Sequence, residues 1–132
     1  MSMLHDNFIK SYTMDFEKGT LVLKTEYHGG EVFEKTDVIF TGYLAHVFYD
    51  EMIDNIIFDV EEITVEQFLE RERETLEKRK NYSWPIRSET ANALSEYLQT
   101  SGYRVFSVDS SSGLYGSVIA KQMDIAPEQI RN

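Results

Sequence analysis

The sequence predicts an α+β fold: a mostly antiparallel sheet of about six strands with two helices packed on one face. Three observations carry this. Apolar side chains alternate at period two through most of residues 8–63 and again after residue 103. Short turn signals rich in Gly and Ser separate the alternating runs. Between the two alternating regions lies a stretch with helix caps and helical spacing.

The first strand covers residues 8–16, with Phe8, Tyr12, Met14 and Phe16 on one face. Glu17-Lys18-Gly19-Thr20 supplies a turn, and Leu21, Leu23, Thr25 and Tyr27 then alternate, completing a hairpin signal. Gly29-Gly30 punctuates before a third strand from Val32 to Thr41, with Val38 and Phe40 inward. Residues 42–52 fit either a short helix or an irregular crossing, since Leu44, Val47, Phe48 and Met52 only approximate a stripe. Asn55 to Ile63 reads as a strand with Ile56, Phe58 and Val60 on one face and Ile57, Asp59 and Glu61 on the other.

The first helix starts at Thr64. Thr64 and Gln67 form a capping box, and Ile63 with Phe68 a hydrophobic staple. Acid lies early (Glu66, Glu70, Glu72, Glu74) and base late (Lys78, Arg79, Lys80), which suits the helix dipole. Its apolar residues are few, so one narrow stripe is expected to be buried. Pro85 ends the helical pattern and biases Trp84 towards an extended conformation. A second helix is expected from Ser88, burying Ala91, Leu94, Tyr97 and Leu98. Gly102 is expected at C′, with Tyr103 reaching back to Leu98 in a Schellman motif. Strands over residues 103–109 and 114–125 follow, joined by Ser110-Ser111-Ser112-Gly113.

The bulk properties set the class. With 132 residues, the chain is expected to form one domain over residues 1–132. Eight Phe, eight Tyr and one Trp exclude a disordered chain. With no cysteine there are no disulfides, thiolate metal sites or Cys nucleophiles. The start, Met1 to Asp6, lacks the basic and apolar regions of a signal peptide, and no apolar run approaches the ~20 residues of a membrane span. A cytoplasmic location is expected. The net charge of −10 disfavours nucleic acid and anionic membranes and favours a basic protein partner. The plainer role of the same charge is solubility.

Sequence motifs assign no catalytic residue, metal ligand or cofactor. His5, His28 and His46 have no i, i+4 partner, although His5, Asp6 and His46 would serve a small metal-dependent hydrolase if the fold brought them together. Asp50, Glu51, Asp54, Asp59, Glu61 and Glu62 form a dense acidic segment without EF-hand spacing. Asp59 and Glu61 stand about 7 Å apart along a strand, as any Asp-x-Glu does, so an inverting-glycosidase reading ranks last. A solvated strand face ranks first and a recognition patch for a basic partner second. Tyr82 and Trp84 beside Pro85 are candidate interface anchors, though core packing of Trp84 is favoured. The serine run lacks a nucleophile elbow, and no glycine pair forms a phosphate loop.

Several phrases, taken in order, carry a resemblance: Leu4-His5-Asp6-Asn7-Phe8-Ile9, Phe40-Thr41-Gly42-Tyr43-Leu44-Ala45-His46, residues 55–62, Lys80-Asn81-Tyr82-Ser83-Trp84-Pro85 and Ser111-Ser112-Gly113-Leu114-Tyr115-Gly116. The chain resembles a group of small proteins from Bacillus-type Gram-positive bacteria, some of them encoded near polymorphic contact-dependent toxins. The resemblance implies an immunity protein. Such a protein binds a toxin domain, and a nuclease toxin is basic where it grips phosphates. The leading expectation is therefore a non-enzymatic acidic protein-binding domain. The alternatives are the His5–Asp6–His46 hydrolase and a homo-oligomeric structural or regulatory subunit.

Overall fold

A computed structural model describes residues 4–127; residues 1–3 and 128–132 and the side chain of Tyr82 lie outside the described residues. Eight strands alternate with a helical insertion: β1 (Phe8–Asp15), β2 (Thr20–Tyr27), β3 (Glu34–Thr41), β4 (Ala45–Tyr49), β5 (Asn55–Ile63), α1 (Val65–Arg71), α2 (Arg73–Arg79), α3 (Ala91–Thr100), β6 (Arg104–Ser112), β7 (Tyr115–Ala120) and β8 (Gln122–Pro127). A 3-10 turn, Lys80–Tyr82, follows α2. The α+β class and the antiparallel pairing agree with the sequence; the counts do not. The described sheet has eight strands rather than about six, and three α-helices replace two.

The extra strands arise because two long strands are broken. The sheet order is β4-β7-β6-β5-β1-β2-β3-β8, so the consecutive strands β3 and β4 lie near opposite ends. In a flat sheet, six inter-strand steps would separate them by about 29 Å. Residues 42–44 join them, and the four Cα steps from Thr41 to Ala45 span at most about 14 Å. The sheet therefore curls until its ends meet. There β3 pairs with β8 and β4 with β7, and the register changes by one residue between the two ladders. Leu44 N–H donates to the Ile119 carbonyl (2.9 Å) and Lys121 N–H to that of Thr41 (3.0 Å), carrying the pairing across the kink.

The curl produces two clusters. Leu21, Leu23, Val38, Phe40, Phe106, Val108 and Val118 fill the interior. Val65, Phe68, Leu94 and Leu98 of the helices share a second cluster with Val105 and Ile119. Neighbouring residues of β6 and β7 thus go to different clusters, so both faces of these strands are buried.

Several local expectations are corrected. A register slip between Ile9 and Ser11 makes Ile9, Tyr12 and Met14 the inner residues of β1; Phe16 lies beyond the strand, 79% exposed. Slips between Ile56 and Asp59 turn Phe58 outward, 55% exposed, and bury Ile57 and Val60. Residues 45–49 of the ambiguous segment are strand. Thr64 caps α1 in a complete capping box, but the helix breaks at Glu72, whose carboxylate turns inward. The cap of α3 is Thr90, two residues after Ser88, and Ala91 and Tyr97 stay exposed while Leu94 and Leu98 are buried. The strand expected over residues 114–125 breaks at Lys121. The Schellman closure forms as expected, with Gly102 N–H on the Gln99 carbonyl (3.3 Å) and Tyr103 N–H on that of Leu98 (2.9 Å).

Gly42 makes the kink sterically possible. Its φ is +63°, and a Cβ there would stand 2.8 Å from the Lys121 Cβ. Gly102 has φ +79° but open space around it. Gly102→Ala is therefore expected to cost about 1 kcal/mol, the left-handed penalty alone. Gly42→Ala adds the clash and is expected to cost about 2 kcal/mol or more. Urea midpoints of the two variants measure the difference; equal losses would remove the close approach from the account of the kink.

Candidate partner-binding groove

From α1 through α2 to the start of the 3-10 turn one pattern repeats. Glu66, Glu70, Arg73, Glu77 and Lys80 recur at steps of four, three, four and three, which keeps them along one side of the helical rod. Leu69 and Leu76 lie beside them, seven residues apart. Across from this side run Trp84, Ile86 and Ser88–Ala91, with Leu94 of α3 below. Together they enclose a groove of about 480 Å³. Leu69, Leu76, Trp84, Ile86 and Leu94 give it an apolar floor continuous with the second cluster. Four glutamates, Glu66, Glu70, Glu77 and Glu89, stand on its rim, against Arg73 and Lys80. Arg73 is already paired with Glu70.

The break at Glu72 sets this wall. Glu72 is 4% exposed and accepts the Tyr49 hydroxyl at 2.5 Å, while Thr75 Oγ1 lies 2.6 Å from the same hydroxyl. Burial, and then the hydrogen bond to Glu72, push the Tyr49 hydroxyl above its ordinary pKa. Arg71 Nη1 donates to the buried Ser107 hydroxyl, which donates to Asp109 (2.6 Å). Adjacent charged residues thus tie the α1–α2 junction to β4 and β6. At the other wall, the Arg79 guanidinium lies 5.2 Å from the centre of the Trp84 ring, which also neighbours Phe68.

The sequence-expected patch is placed differently. Asp50, Glu51 and Asp54 lie in the β4–β5 loop, whereas Asp59, Glu61 and Glu62 lie along β5. At strand rise, Asp54 and Glu62 are about 26 Å apart. Glu51 accepts the Tyr12 hydroxyl (2.7 Å), Asp59 accepts the Val60 N–H (2.8 Å), and Glu62 is bound by Arg104 (2.6 and 3.1 Å). That pair holds the Glu62 carboxyl below its ordinary value. Asp50, Asp54 and Glu61 are exposed. Of the expected contact residues, Trp84 alone lines the groove among the described ones.

The histidines occupy three aromatic settings. His5 contacts Asp6 (3.2 Å) and the Phe58 ring. His28 is stacked between Phe8 and Phe33, beside Glu26 (3.1 Å). His46 lies 2.7 Å from the Tyr43 hydroxyl and against Tyr12 and Phe48, and burial holds it below its ordinary pKa. The aromatic and hydrogen-bond neighbours of His5 and Asp6 are not those of His46. Among the described residues, no three His, Asp or Glu side chains are placed to hold a metal. No described helix is long and apolar enough to cross a membrane.

The chain matches no family model, and neither the curated proteins nor the solved structures contain a detectable relative.

The Tyr12–His46 region yields a pH test. Burial first, and then the bond to Glu51, push the Tyr12 hydroxyl up to about 12 from 10.0. The unfolded chain therefore gives up this proton from about pH 10 while the folded protein keeps it. Stability from this group is complete below pH 10 and is lost as pH rises towards 12. Urea midpoints across that window should fall less steeply for Tyr12→Phe than for the wild type. Tyr43, Tyr49 and Tyr103, shifted in the same direction, maintain a residual slope. Parallel curves would show that Tyr12 does not couple to folding.

Proposed function

We propose that this protein is a non-enzymatic binding domain for a basic protein, and that the partner docks in the groove of the helical insertion. The observation that carries the reading is an apolar floor containing Trp84 beneath a rim of four glutamates. Binding hot spots favour such half-buried aromatic anchors, and a rim on which four glutamates outnumber Arg73 and Lys80 speeds encounter with positive charge. The reading takes the helices to pack on one face of the sheet, supported by the cluster that Phe68, Leu94 and Leu98 share with Val105 and Ile119. The net charge of −10 supports the sign of the partner. The specific form we propose, supported by the resemblance described above, is a cytoplasmic immunity protein that neutralises a basic nuclease toxin.

Trp84 is the sole tryptophan, so its emission reports on the groove directly. Poly-L-lysine at low salt is expected to shift that emission. Changing Glu66, Glu70, Glu77 and Glu89 to Gln should weaken the half-saturation about tenfold, from a few tenths of a kcal/mol per rim charge. Amide substitution of Asp50, Glu51, Asp54 and Glu61 removes the same number of charges and should leave the response nearly unchanged. Equal losses in the two variants would mean that net charge alone attracts the polymer. The immunity form has its own test. A toxin gene is expected beside this one, and co-expression should protect cells from its product. A neighbourhood without any toxin gene would overturn that form and leave the groove standing.

A further inference from the structure

The groove also constrains the shape of what enters it. We infer that its occupant is an amphipathic helix whose apolar stripe is flanked by lysine or arginine. The inference rests on the groove being a docking site, as proposed above. Its long wall is helical, with the backbone N–H and C=O groups of α1 and α2 engaged along the rod. An extended segment laid there would find no ladder to join, and its own backbone groups would lose water without replacement. A helix satisfies its backbone internally and presents only side chains. The volume of about 480 Å³ takes a few side chains, the apolar face of a helix rather than its whole body.

Glu66 and Lys80 are separated by fourteen residues across the junction at Glu72, so the wall is at most about 21 Å long at helical rise, about four helical turns. Over that length Leu69 and Leu76 call for apolar anchors at i, i+3 or i+4 and i+7 on the partner. With Glu70 and Arg73 paired, Glu66 and Glu77 outnumber Lys80 on one side and Glu89 stands on the other, a net acidic rim that calls for positive charge on both flanks of the stripe. An acidic or uniformly polar helix meets repulsion at the rim and leaves the floor wet.

Synthetic peptides of about 15 residues, built from the same lysines and leucines in three orders, test this on the wild-type protein. One order has helical spacing, one alternates at period two, and one has helical spacing with a central proline added. Trp84 emission gives affinity, and far-UV circular dichroism gives the peptide's helicity on binding. The helical order is expected to bind at least about tenfold more tightly than the other two and to gain helix when bound. Leu76→Gln should weaken this binding and leave the poly-L-lysine response largely intact. Equal affinity for all three orders, or preference for the alternating one, overturns the helical occupant and leaves the groove as a basic-partner site. No emission change with any peptide or with poly-L-lysine overturns the docking site itself. A dimer in sedimentation equilibrium that Leu76→Gln dissolves would assign the groove to a second copy of the chain and overturn the inference.

Discussion

The three-residue link between β3 and β4 is the constraint from which the rest of the structure follows. It joins strands that lie near opposite ends of the sheet, so the sheet has to curl. Curling creates the interior that Phe40, Phe106 and their neighbours fill. It also requires the paired strand to buckle at the same level, which explains why Lys121 interrupts β7 and β8 opposite Gly42. The backbone bonds from Leu44 and Lys121 keep donors and acceptors paired through the bend, where a kinked ladder would otherwise leave them orphaned.

The helical insertion answers a second requirement of the same geometry. The side of β6 and β7 carrying Val105 and Ile119 is apolar as well, and the helices supply Phe68, Leu94 and Leu98 to its cluster. In α1, Val65 and Phe68 are committed inward by that cluster, and Glu72 turns inward at the junction with α2. Leu69 and Leu76, half-buried against the same cluster, are left as part of the floor of a groove. Glu72 connects the two roles. By turning inward to Tyr49 it breaks the rod, and the buried charge-assisted bond fixes the orientation of both halves.

What was legible in the sequence was local. The alternation of β2, the Thr64 capping box and the closure at Gly102 are each decided within a few residues, and the structure has them as read. The bulges at Lys10 and Phe58 are set by pairing with other strands, so strict alternation misassigned Phe8 and Phe58. Glu72 sits in an acid-rich helical stretch and reads as solvated; only Tyr49, far back in the chain, draws it inward. For the groove a signal did exist, in Leu69 and Leu76 together with Glu66, Glu70 and Glu77. It was outweighed by the denser acidic run from Asp50 to Glu62.

Density along a chain is a poor guide to density in space. A strand advances about 3.3 Å per residue and alternates its faces, so six carboxylates over residues 50–62 are dispersed along a loop and a strand. A helix advances about 1.5 Å and returns to the same side after three or four residues. Glu66, Glu70 and Glu77, with Arg73 among them, therefore lie within at most about 16 Å on a single edge, beside apolar side chains. Charge over water is screened within about 8 Å at physiological salt and contributes little by itself. Charge at the lip of an apolar trough acts twice, first by steering a basic partner in and then by strengthening as the trough is covered and water leaves. Among the acids of residues 50–62 the large apolar side chains Met52, Ile53 and Phe58 stand exposed, whereas Leu69, Leu76 and Trp84 are half-buried along the groove. In the docking reading proposed above, what sets the groove apart from the other acidic faces is thus the half-buried floor and not the charge.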